Sequence, residues 1–104
     1  MKERMNVDSS DRLIRALAHP QRIELVRALM KRPQYVSALA TTLNMDRSTV
    51  SYNLAVLESA QLLDSKYEIL EQPHSKGKAA RIFSVNKSKL KEAIDLIKAI
   101  GELR

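Results

Sequence analysis

Residues 36–57 read VSALATTLNMDRSTVSYNLAVL, and this stretch decides the architecture. Val36, Leu39, Ala40 and Leu43 fall at i, i+3, i+4 and i+7, the spacing of one apolar helix face. Asn44-Met45-Asp46 follows: asparagine tolerates the left-handed backbone that ends a helix, Met45 offers an apolar plug for the corner, and Asp46 is a strong N-cap residue. The next helix, Arg47 to about Ser59, turns Val50, Leu54 and Leu57 inward and leaves Ser48, Tyr52, Ala55 and Ser59 on the opposite side. Two helices joined by so tight a corner form a helix-turn-helix. The outer face of the second is short, polar and nearly uncharged, whereas a solvated face normally carries Lys and Glu. Arg47, Ser48, Thr49, Ser51 and Tyr52 are residue types that enter a groove and meet base edges and phosphates.

Working upstream, His19-Pro20 marks a corner, because proline disfavours helical geometry in the residue before it and suits the first turn of a new helix. One helix, capped by Ser9 or Ser10, carries Leu13, Ile14, Leu17 and Ala18 into that corner; another carries Ile23, Leu25, Val26, Leu29 and Met30 out of it, to about Lys31 and Pro33. Downstream the period shortens to alternation, with Tyr67 and Ile69 in one run and Arg81, Phe83 and Val85 in another, which predicts two antiparallel strands. Between them, Lys76 and Lys78 flank Gly77, and with Arg81 they give the hairpin three positive charges for phosphates or a minor groove. Asn86 or Ser88 caps a final helix bearing Leu90, Ala93, Ile94, Ile97 and Ile100, with Leu96 and Leu103 widening its stripe. The expected fold is mainly α with a small β-hairpin, a single winged helix-turn-helix domain over 11–85. A flexible N-terminal arm over 1–10 precedes it, and a dimerisation helix over 86–104 completes it.

Composition narrows the function. The chain has 104 residues, 44% hydrophobic and 29% charged, enough for one compact domain, and its net charge of +6 favours a polyanionic partner. The absence of cysteine removes disulfides, thiolate metal ligands, Cys nucleophiles and thiol redox sensing. No nucleophile motif, glycine-rich phosphate loop or metal-ligand spacing appears, so no enzyme, cofactor or metal site is expected. His19 reads as a helix cap or corner contact and His74 as a loop residue near DNA. The first ten residues are too polar for a signal peptide and no apolar run has the length of a membrane helix, so a cytoplasmic, nucleoid-associated protein with no membrane partner is expected. Lys87, Lys89, Lys91 and Lys98, interspersed with Glu92, Asp95 and Glu102, form an ordinary solvated face. The apolar stripe of the last helix is broad for a terminal element and argues for a second copy as partner. Leu13, Leu17, Leu90, Ile94, Ile97 and Ile100 are the expected dimer contacts.

The run Leu17-Ala18-His19-Pro20-Gln21-Arg22, then Val36-Ser37-Ala38-Leu39-Ala40, then Arg47 through Leu57, resembles the ArsR-like family of winged helix-turn-helix regulators over roughly Asp11 to Val85. The resemblance implies a homodimer built from the first and last helices, with Arg47 to Ser59 in the major groove, the hairpin as wing, and repression as the usual role. Four departures stand out: Asn44 and Gln61 where glycine is usual, Tyr35 where a small hydroxyl residue is common, Tyr52-Asn53 in place of an Arg-His pair, and neither of the family's metal-ligand sets. The expected function is a sequence-specific regulator that binds double-stranded DNA as a homodimer, with no named effector. Two alternatives remain open at this point, a winged-helix module that docks proteins and an architectural protein that coats DNA.

Overall fold

The computed structural model describes residues 2–71 and 77–101, with side chains from residue 10 onward. In chain order the elements are α1 (Lys2–Leu17), α2 (Pro20–Lys31), β1 (Gln34–Tyr35), α3 (Val36–Leu43), α4 (Arg47–Ser59), β2 (Leu63–Ile69), β3 (Ala79–Val85) and α5 (Lys87–Gly101). The His19-Pro20 corner works as its chemistry requires: His19 is extended at φ −152° and ψ 125°, Pro20 opens α2, and the His19 carbonyl accepts from the Ile23 amide at 2.9 Å. His19 occupies the cap position but its side chain makes no cap hydrogen bond. Helix α1 begins at Lys2 instead of at a Ser9 or Ser10 cap, so the segment read as an arm is helical from residue 2. No Pro or Gly interrupts residues 2–17, and serine is tolerated inside a helix that packs along a neighbour, here α5.

Both positions where the ArsR-like pattern usually has glycine adopt the backbone glycine would favour. Asn44 is left-handed at φ 53° and ψ 52°, and the next amide, of Met45, reaches back to the Ala40 carbonyl at 3.0 Å. Met45 is half-buried against the core, as a plug should be. Asp46 stands at the N-cap of α4 in extended conformation, yet its carboxylate makes no cap bond; only its carbonyl engages the helix, accepting from Val50 at 2.9 Å. Gln61 is also left-handed, at φ 68°, and lets the Leu62 amide bond the Leu57 carbonyl at 3.0 Å. A residue with a Cβ in this region costs about 1–2 kcal/mol, part of which glycine would return as unfolded-chain entropy. Gln61→Gly is therefore expected to stabilise the fold by about 0.5–1 kcal/mol and to raise Tm by about 3–6 °C. An unchanged or lower Tm in a thermal melt would show that the glutamine side chain compensates for its backbone.

The sheet has three strands in the order β1-β3-β2, all antiparallel. The hairpin register sets Leu63 opposite Val85, Ser65 opposite Phe83 and Tyr67 opposite Arg81. The third strand, β1, was outside the two predicted: Gln34 and Tyr35 pair with Phe83 and Ile82. Two residues are too few to show alternation, and Pro33 only signals that α2 has stopped. Asn86 is the cap of α5, its side-chain oxygen accepting from the Lys89 amide at 3.2 Å.

Leu13, Leu25, Leu39, Val50, Leu54, Leu57, Leu62 and Leu63 are fully buried and form one core with Phe83, Leu90 and Ala93. This placement corrects half of the expected dimer surface. Leu13, Leu17 and Leu90 are buried within the single chain because α1 and α5 pack on one another, so these three are not available to a second copy. Ile94, Ile97 and Ile100 remain exposed along α5. Among the described residues no helix is long and apolar enough to cross a membrane.

Candidate nucleic-acid interface

Helix α4 owes its orientation to the inward leucines, which leave a polar strip facing outward. Arg47, Ser48 and Ser51 are exposed, Tyr52 is 67% exposed, and Thr49 is half-buried at the edge of the strip. These five residues, named from sequence as groove contacts, lie together on the first two turns of one helix. Arg47 makes no ion pair among the described residues. The strip opens on a cleft of about 530 Å³ between α4 and the start of α2, lined by His19, Gln21, Arg22, Ser48, Thr49, Tyr52 and Asn53.

The second half of the family-type pair, Asn53, does not share the strip. It is 3% exposed; its Nδ2 donates to the Thr49 carbonyl at 3.0 Å, and its Oδ1 accepts from Arg22 Nη1 at 3.0 Å. Arg22 also donates from Nε to the Ala16 carbonyl. Sequence reasoning used Arg22 only as part of a motif and read Asn53 only as a departure from the usual Arg-His pair. An asparagine at i+3 from Val50 and i−4 from Leu57, on the apolar side of a helix, was the available signal of a buried polar tie.

The basic hairpin is less uniform than its composition suggests. Arg81 is bound within the chain: its guanidinium donates to Glu58 Oε1 and to Ser65 Oγ at 3.0 Å, and lies over the rings of Phe83 and Tyr67 at 5.1 and 5.9 Å. It therefore ties the wing to α4, a role the sequence reading did not assign, while 42% of its side chain stays exposed. Glu58 is the sole acid of α4, and that isolation beside a basic strand could have flagged the brace. Lys78 is exposed, next to the Leu70–Lys78 backbone bond of 2.8 Å that closes the hairpin stem. It stands three residues from Arg81 in extended chain, and so on the other side of the ribbon. Lys76 and His74 lie outside the described residues. On the α4-facing side beyond Arg81, the wing presents Tyr67 and Ile69, 70% and 65% exposed. At its base Tyr35 donates its hydroxyl to Glu68 at 2.6 Å, and that hydrogen bond to a carboxylate raises the phenol above its ordinary pKa.

Comparison with known proteins agrees with this geometry. A family described as a helix-turn-helix domain matches residues 17–66. No curated protein matches the sequence significantly. Several solved structures share the fold. A homodimeric winged helix-turn-helix DNA-binding domain from Mycobacterium bovis, described as a possible ArsR-family regulator, is 20% identical with a TM-score of 0.71, over 97% of this chain and 85% of that one. Reduced HlyU from Vibrio cholerae is 19% identical with a TM-score of 0.71, over 95% of each chain. An ArsR-like transcriptional regulator from a Rhodococcus species is 20% identical with a TM-score of 0.71, over 93% of this chain and 83% of that one. Residues 17–66 therefore resemble the helix-turn-helix domain of the matched family, and the chain as a whole shares the winged helix-turn-helix fold of these solved structures.

Proposed function

We propose that the chain is a transcriptional regulator that binds specific double-stranded DNA as a homodimer and represses by occupying its operator. The observation that carries this reading is the outer strip of α4. An exposed helix face made of Arg47, Ser48, Ser51 and Tyr52, with Thr49 at its edge, has hydrogen-bonding side chains but almost no charge. Such a face suits the major groove, where base edges are read by short polar and aromatic side chains and phosphates by a flanking arginine. The net charge of +6 supplies the sequence-independent attraction. The cleft beside the strip gives a phosphate backbone room next to Gln21 and Ser48. Two copies joined through α5 would present their α4 helices about one DNA turn, roughly 34 Å, apart. The M. bovis domain, a homodimer described as DNA-binding, supports the same arrangement.

Selection from a randomised duplex pool tests the reading. Recovery of a palindromic site with half-sites spaced by about 10.5 base pairs is the expected result. Binding without enrichment would indicate an architectural protein. No binding at low salt would leave protein docking, a reading that the exposed Tyr67 and Ile69 on the wing favour.

Of the basic residues assigned to the wing, Lys78 is the one described residue whose charge is unpaired. Lys78→Ala is expected to weaken binding to all duplexes alike and to reduce the slope of log affinity against log salt by about 0.9. A slope identical to that of the unaltered protein would take Lys78 out of the interface.

A further inference from the structure

Val50, Leu54 and Leu57 hold α4 against the core and decide which face it buries, but apolar contact is non-directional and adds no hydrogen-bond geometry to that placement. Asn53 is different in kind. It projects to the same inward side, is almost completely buried, and uses both ends of its amide, toward Thr49 on its own helix and Arg22 on α2. The Arg22 guanidinium in turn holds the Ala16 carbonyl in the last turn of α1. One planar, rigid group thus joins the end of α1, the first turn of α2 and the middle of α4.

Stability alone does not call for this tie. Exchanging both partners of a buried hydrogen bond for apolar groups of the same shape is close to neutral, so an aliphatic pair would serve a core equally well. A satisfied buried polar network adds a unique geometry. Geometry matters here because Tyr52 is the residue immediately before Asn53 in the chain, and Ser48, Thr49 and Tyr52 share the walls of one cleft with Arg22 and Asn53. A binding constellation must be held to about 0.5 Å and 10–20° to make its contacts. A small rotation of α4 would carry Tyr52 beyond that.

We propose that Arg22 and Asn53 are the positioning pair of the recognition helix: by tying the turn that carries Ser48, Thr49 and Tyr52 to the end of α1, they set which base edges it reaches. They govern discrimination between DNA sequences without touching DNA. This rests on the reading of α4 as the DNA-reading helix.

The test uses the full chain and four variants: Arg22→Ala, Asn53→Ala, the double variant and Arg22→Lys. Each is measured for thermal unfolding and for affinity, at one salt concentration, to the duplex enriched by the unaltered protein and to a scrambled duplex of the same composition. The single variants are expected to lose about tenfold or more on the enriched site and less than about twofold on the scrambled one. The double variant should lose no more than either single, since the two residues act as a unit. Arg22→Lys, which keeps the charge but not the fork, should fall between. Equal losses on both duplexes, or full discrimination in Asn53→Ala despite a lowered Tm, would reduce the tie to packing and overturn the proposal. Should Arg22→Ala fail to fold, the ratio for Asn53→Ala and Arg22→Lys decides in the same way. An unaltered protein that enriches no site would instead overturn the reading of α4 itself, a result obtained before any variant is made.

Discussion

Ile97→Glu is expected to convert the proposed dimer into monomers and to lower affinity for an operator with two half-sites by about a hundredfold or more. Ile94, Ile97 and Ile100 are exposed along α5, with Ile97 at 47%, so the substitution costs the single chain little. In a symmetric pair each altered residue would be buried with its twin, and two carboxylates taken from water without a cation partner are unfavourable by several kcal/mol. Of the α5 lysines, Lys91 is held by Asp95 at 2.8 Å, a hydrogen bond that draws the Asp95 carboxyl below its usual range, and Lys89 pairs with Glu92, which leaves exposed Lys98, next to Ile97, to offset only part of that cost. Loss of the dimer removes the second half-site contact, whose advantage is an effective concentration and not a new interaction. Sedimentation and duplex titration check both parts. An intact dimer would take this stretch of α5 out of the interface. A monomer with undiminished affinity would remove the requirement for pairing.

Leu54→Ala should produce the largest change in stability, a loss of about 3–4 kcal/mol. Leu54 is fully buried on the inward side of α4, in a core that also contains Leu25, Leu39, Leu57 and Phe83. The alanine removes a branched side chain and leaves a cavity that closely packed neighbours fill only in part. A domain of this size has about 5–15 kcal/mol in hand, so much of its stability would go. Urea unfolding measures the change, with an unaltered m-value confirming that the transition itself is the same. A loss under about 1 kcal/mol would mean that α2 and α4 close over the gap. The contrast with Ile97 is instructive, because both are aliphatic positions on amphipathic helices and only burial separates their expected effects.

The helix-turn-helix was legible because its signals are local. Apolar spacing from Val36 to Leu57, a left-handed asparagine and a proline corner each act within a turn or two of chain, and all four α2–α5 helices fall close to where those signals put them. The outward strip of α4 follows from the same periodicity, since burying Val50, Leu54 and Leu57 leaves Ser48, Ser51 and Tyr52 on the surface.

What the sequence determined by itself was therefore the order of the helices, the tight corner between α3 and α4, the hairpin, and the face that α4 turns outward. Tertiary structure decided the rest, and in each case across a long separation. Arg81 is the partner of Glu58, 23 residues away, so a residue read only as a phosphate contact also braces the wing. Arg22 meets Asn53 across 31 residues, and Tyr35 meets Glu68 across 33. Two residues became the strand β1 only because β3 lay alongside. Leu13, Leu17 and Leu90 had the pattern of an outward stripe, but packing of α1 on α5 enclosed them and left Ile94, Ile97 and Ile100 outside. The physical reason is common to all of these. Periodicity specifies that a side chain lies on an apolar or a polar face, while the group it meets there is chosen only when distant segments close on one another.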